Sequence, residues 1–251
     1  MRHLYAVETD AELRTYQAAA QRLRPRLEDY LLFLTESCGV RELPRAIVWT
    51  GREAATELLS DIPVPAYTNE YRVMFCPDPV VWRDIWLRQL EGLTGKAAEE
   101  VRAYYETSIN DNRLLAILGH ELAHHMEAFP DFGDARETGV WFEEGMAEYI
   151  GRRYFLTEEE FAAEARINRL LVELLEERYG GHPLEDFGAS TYEGNYASIF
   201  FAYWRSFLAV DELVRRPGGV QEVFLSYRQW IESGREQTLE EWFHLPAVDY
   251  S

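Results

Sequence analysis

Apolar side chains recur at near-helical spacing between residues 10 and 37, at Leu13, Tyr16, Ala20, Leu23, Leu27, Leu31 and Leu34, and Cys38-Gly39 stops the run. Pro25 falls inside this stretch and is expected to kink or divide it. Residues 45–50 are short, β-rich and bounded by Pro44 and Gly51, which predicts a strand; residues 52–60 then look helical, so a β-α-β element follows. Pro63 and Pro65 break regular structure before Tyr67, and residues 70–76 alternate as a second strand that Pro77 and Pro79 terminate. Trp82, Ile85, Trp86 and Leu90 predict a helix over 80–93. Beyond residue 96 the pattern is almost wholly helical, with helices expected at about 97–128, 138–155, 157–179, 196–215, 219–232 and 238–244.

This order predicts an α+β fold, with a small β-containing lobe over about 1–128 and a mainly helical lobe over about 129–251. Repeats, low-complexity tracts and long linkers are absent, so residues 1–251 are read as a single domain. A hydrophobic content of 47% over 251 residues is enough for a substantial core. Lys+Arg 25 against Asp+Glu 44 gives a formal charge of -19, which disfavours nucleic acid and anionic membrane as partners. No signal-like apolar segment and no stretch of spanning length is seen, making the cytoplasm the default compartment. Cys38 and Cys76 are far apart and lack C-x-x-C spacing, so they read as packing residues.

Candidate chemistry is concentrated at His120-Glu121-Leu122-Ala123-His124, an H-E-x-x-H sequence inside a helical run. Residues four apart share one helix face, so both imidazoles can reach a single ion, while Glu121 sits beside that ion as a potential base. Two histidines leave a catalytic zinc site one ligand short, which calls for a third donor downstream. The stretch Trp141-Phe142-Glu143-Glu144-Gly145-Met146-Ala147-Glu148-Tyr149 places three carboxylates in an otherwise apolar helix.

Together, H-E-L-A-H and, about twenty residues later, W-F-x-E-G-x-A-E-Y resemble the gluzincin metallopeptidases, a group that includes the thermolysin-like enzymes. The resemblance is firm over residues 114–150 and looser around them. It implies a zincin-like fold with the metal between the two lobes, Zn2+ held by His120, His124 and Glu144, and Glu121 as general base. It also implies Glu148 as a partner for a ligand histidine, one turn after Glu144 on the same face. By the same resemblance an edge strand lines the substrate cleft, and 70–76 is the strand assigned to it. An oxyanion donor is expected from a helical segment after the third ligand; Tyr196 is assigned there, behind the helix-capping Asn195, with Tyr192 and His182 in reserve. His125 receives no role. No G-x-M-E-N-like segment precedes the motif, so exopeptidase action is not implied.

The function so predicted is zinc-dependent hydrolysis of peptide bonds in a peptide or protein substrate. Two alternatives are a catalytically idle scaffold that binds a peptide or partner through the same cleft, and a metal-free helical protein in which His120 and His124 are buried hydrogen-bonding residues. Retention of Glu121 favours the enzyme, because a binding protein needs no base beside the metal.

Overall fold

The computed structural model describes residues 1–40, 42–60, 63–129 and 138–245. A four-stranded sheet is built from β1 (Arg2–Ala6), β2 (Ala46–Thr50), β3 (Ala66–Thr68) and β4 (Arg72–Phe75), in the order β1-β2-β4-β3. β1 and β4 flank β2 in parallel, and β3 pairs antiparallel with β4. Every residue of β2 is buried, as suits the run Ala46-Ile47-Val48-Trp49-Thr50.

The helices are α1 (Asp10–Phe33), α2 (Pro79–Arg88), α3 (Lys96–Thr107), α4 (Asp111–Ala123), α5 (Val140–Phe155), α6 (Glu158–Tyr179), α7 (Tyr196–Arg215), α8 (Gly219–Glu232) and α9 (Leu239–Trp242). Wide π-type turns extend α1 over Leu34–Cys38 and follow β2 over Ala54–Leu58. The fold is therefore α+β, a small sheet with a mostly helical remainder. No helix of the described residues is long and apolar enough to cross a membrane.

Four expectations are corrected. α1 is not divided at Pro25: that residue lies on the exposed face, where the carbonyl freed by the missing N–H meets solvent instead of the core. The helix expected over 97–128 is two helices, because Asn110 leaves helical geometry and caps α4 by accepting from the Arg113 amide. α4 also ends early, since the chain after His125 turns to form an antiparallel bridge between Met126 and Val40, with the Glu127 amide donating to the Gly39 carbonyl.

The cleft-edge assignment changes as well. The 70–76 strand is β4, which lies inside the sheet between β2 and β3. The edge belongs to β3, in the stretch that two prolines mark as irregular; Pro63 and Pro65 precede it, and an edge strand tolerates a missing donor. Thr68 on β3 and His125 after α4 are joined by a 2.8 Å hydrogen bond between Oγ1 and Nε2, which fixes the edge strand against the end of the motif helix.

One continuous apolar cluster unites Trp49 and Phe75 of the sheet with Leu115 and Leu118 of α4, Trp141 and Met146 of α5, and Phe207 and Val210 of α7. α4 and α5 are thus buried along most of their length, and the polar residues on them are withdrawn from water.

Candidate metal centre

α4 begins at its Asn110 cap and carries His120 in its last turn; His124 is the residue on which it ends. α5 brings Glu144 across from the neighbouring helix. His120 Nε2 and His124 Nε2 are 3.1 Å apart, and Glu144 Oε2 lies 3.2 Å from the first and 3.4 Å from the second. Zinc bonds of about 2.0–2.1 Å in tetrahedral geometry require donor separations of about 3.3 Å, which this near-equilateral triangle meets. Among the described residues, this is the group of His, Cys, Asp and Glu side chains whose donor atoms converge closely enough to hold a metal ion.

Electrostatics within the triangle follow from burial and proximity. Burial pushes the Glu144 carboxyl up, but the facing charge of His124 and contact with both imidazoles outweigh it and hold the group below the ordinary carboxylate range. Burial pulls His120 down, and the Glu144 and Glu148 carboxylates outweigh that, leaving it raised. Glu144 Oε2 is enclosed and accepts no well-formed hydrogen bond, although two ring nitrogens face it. A buried anionic oxygen in that position is the kind of atom a cation satisfies, and the two-nitrogen, one-oxygen donor set suits zinc.

Glu121 is buried beside the triangle and faces a cavity of ≈ 70 Å³ shared with Ile117, Phe200, Tyr203 and Trp204. Burial pushes its carboxyl up to about 8, against the opposing pull of His124. Glu148 Oε1 lies 3.8 Å from His120 Nδ1, beyond hydrogen-bond length. Its other oxygen is held at 2.7 Å by Arg152 Nε. Glu143, the neighbour of Glu144, turns away and accepts a 2.7 Å hydrogen bond from Tyr227.

The structure separates the three oxyanion candidates. Tyr196 stacks on Phe200, and its hydroxyl donates to the Pro63 carbonyl at 2.6 Å, tying α7 to the segment before β3. His182 is largely exposed and faces Asp186 at 3.4 Å. Tyr192 is the one brought to the His120–His124–Glu144 triangle: its hydroxyl donates to Glu144 Oε1 over 3.3 Å and lies 2.7 Å from the hydroxyl of Tyr203. Burial, reinforced by the Glu144 charge, raises both phenols well above their usual value, so both are neutral hydrogen-bond donors.

Two features of the site escape sequence reading. Tyr203 packs its ring 5.9 Å from that of His120, although its residue type and spacing match an ordinary core tyrosine. Behind Glu148, a buried ionic chain runs through Arg152, Asn168 and Glu164 to Arg113. Tyr104 adds a 2.6 Å hydrogen bond to Glu164, and the Arg113 guanidinium lies 4.4 Å over the Trp86 ring. A signal exists in α6, where Glu164 and Asn168 interrupt an apolar stripe of Phe161, Ala165 and Leu171.

Comparison with protein-family models, with curated proteins and with solved structures finds no match.

Proposed function

We propose that this protein is a zinc-dependent hydrolase of peptide bonds, with His120, His124 and Glu144 as metal ligands and Glu121 as general base. The observation that carries the reading is the triangle of two Nε2 atoms and one carboxylate oxygen with edges of 3.1, 3.2 and 3.4 Å, beside a buried carboxylate that ligates nothing. A bare structural histidine pair needs no such base.

Zinc, when bound, supplies Lewis-acid polarisation of a carbonyl oxygen and lowers the pKa of a water. A divalent charge beside Glu121 also favours its ionised form, offsetting the burial that raises its pKa. Glu121 then accepts a proton from water as the water oxygen attacks the scissile carbonyl carbon, and returns it to the amine nitrogen when the carbon–nitrogen bond breaks. A neutral phenol at Tyr192 can donate to the developing oxyanion.

Substrate alignment follows from β3. In an antiparallel pair, main-chain groups point alternately towards and away from the partner strand. Pro65 and Asn69 bond to β4, so the register turns the N–H and C=O groups of Ala66 and Thr68 to the open edge, where an extended peptide can add as a strand. The adjoining cavity is walled by aromatic rings and by the balanced charges of Arg113, Glu164, Arg152 and Glu148, which suits an uncharged side chain.

Native mass spectrometry of protein purified without chelator, followed by cleavage of a diverse peptide library with and without chelator, tests the reading. Zinc at one per chain with chelator-sensitive cleavage is expected. A chain that neither carries nor takes up metal would sink it.

A further inference from the structure

All-parallel sheets occur almost only with both faces covered, and three of the four strands here run parallel. β1, β2 and β4 are parallel, and their inner face, with Tyr5, Ile47, Trp49, Val73 and Phe75, is packed into the main core. The opposite face carries two transverse rows set by the register: Leu4, Val48 and Met74 in one, Arg2, Ala46 and Arg72 in the next. Tyr67 of β3 continues the apolar row.

The segment after β2 reaches this face from its far end, where the Tyr67 hydroxyl donates to the Leu59 carbonyl at 3.1 Å, and Val48, Met74 and Tyr67 are buried. The other end is open. It forms a shallow depression of ≈ 890 Å³ walled by Arg2, Leu4, Arg45, Val48, Tyr71 and Arg72. Leu4 and Tyr71 are each 50% exposed, and the Arg45 guanidinium lies 5.2 Å over the Tyr71 ring. No carboxylate lines the depression among the described residues, and none of its three arginines forms an ion pair among them. Arg72 Nε is enclosed without a hydrogen-bond partner. A cationic, apolar patch of this kind stands out on a chain with 44 acidic and 25 basic residues.

We propose that this open half-face is a docking site for an amphipathic helix of a partner protein, with an apolar stripe flanked by Asp and Glu. A helix is the element that covers a parallel sheet. Leu4 and Tyr71, with Val48 beside them in the lining, take the stripe, and Arg2, Arg45 and Arg72 take the flanking carboxylates, whose approach electrostatic complementarity favours. Nucleic acid would leave Leu4 uncovered, and the overall charge of -19 opposes anionic surfaces at long range.

The test uses three fluorescein-labelled helical peptides titrated onto the full chain by anisotropy: a leucine stripe flanked by glutamates, the same stripe flanked by lysines, and the glutamate peptide with its stripe changed to serine. The first binds and the others do not. R2E/R72E, and L4D separately, weaken that binding by about tenfold or more, with far-UV circular dichroism and thermal midpoint kept near wild type. The proposal is overturned if all three peptides bind alike, if none binds, or if the variants bind as well as wild type. Sedimentation velocity and flotation with phosphatidylserine vesicles close the other routes: a dimer dissolved by R2E/R72E assigns the face to a second copy, vesicle binding lost in R2E/R72E assigns it to a membrane, and either overturns the proposal. Both faces of the experiment are independent of metal.

Discussion

A Cβ added to Gly151 of α5 would stand 2.9 Å from the backbone nitrogen of His120 and 2.7 Å from the Ala116 carbonyl oxygen on α4. The two helices therefore meet backbone to backbone, and that approach is what lets Glu144 reach the imidazoles from the neighbouring helix. Gly151→Ala must push α5 off α4. The expected result is a loss of about 1–3 kcal/mol in stability, the usual cost of overpacking, together with weaker zinc binding. Chemical denaturation and zinc titration against a competing chelator measure the two effects; unchanged zinc affinity would mean that the triangle does not depend on this contact.

Glu143 and Glu144 are adjacent but serve different neighbours. Glu144→Ala removes one corner of the triangle and should weaken zinc binding by orders of magnitude, with a smaller effect on the metal-free fold. Glu143→Ala instead removes the 2.7 Å hydrogen bond from the buried Tyr227 hydroxyl, which costs about 0.5–3 kcal/mol of stability while zinc affinity is held. Equal losses of zinc in both variants would refute the division.

Glu121→Gln keeps the size of the side chain and loses its basic oxygen. Because Glu121 lines the cavity and is not part of the donor triangle, the variant should retain zinc and lose hydrolysis of library peptides. Undiminished turnover would mean that another group takes the proton.

How much of this was legible in the sequence depends on the range of the interaction concerned. His120, His124 and the helix that carries them rest on local spacing, and Glu144 lies one helix away in a register that its own neighbours define. The strand β1 rests on nothing local: Arg2 and His3 give it a weak pattern, and it is a strand because it pairs with the fully buried β2. β3 has only three residues and follows two prolines, so its edge position could be read only from the sheet order. Arg113 and Glu164 come from different helices, and their pairing is tertiary.

His125, unassigned from sequence, gives a pH prediction. Burial, helped by the adjacent His124, lowers its pKa from 6.5 to about 4. The folded state thus resists a proton that the unfolded chain accepts, so stability is complete above pH 6.5 and falls as the pH drops towards 4. The shift corresponds to at most about 3 kcal/mol. Many carboxylates titrate in the same window, so the measurement is the difference between wild type and His125→Gln. In metal-free protein, the wild type should lose more stability than the variant between pH 7 and pH 4.5. Parallel curves would show that His125 is not the group responsible.

Tyr192, and not Tyr196, is the phenol expected to act at the proposed metal. Tyr196 and Tyr203 lie two turns apart on α7, and the sequence puts Tyr196 first, behind the Asn195 cap, with Tyr192 in reserve. The hydroxyl of Tyr196 is committed to the Pro63 carbonyl over a short 2.6 Å bond, which makes it a clasp between α7 and the strand edge. Tyr192 instead makes a long 3.3 Å bond to Glu144 Oε1, a weak contact that a nearby oxyanion can readily replace. Tyr203 supports it from behind at 2.7 Å. Tyr192→Phe should therefore lower kcat by roughly a hundredfold to a thousandfold with zinc content intact, the range seen when an oxyanion donor is removed. Tyr203→Phe should have a smaller effect, through loss of orientation, and Tyr196→Phe should leave kcat near wild type while lowering the thermal midpoint slightly. If Tyr196→Phe is the variant that loses turnover and Tyr192→Phe is not, the Pro63 contact must break when substrate binds, and the donor is Tyr196 after all.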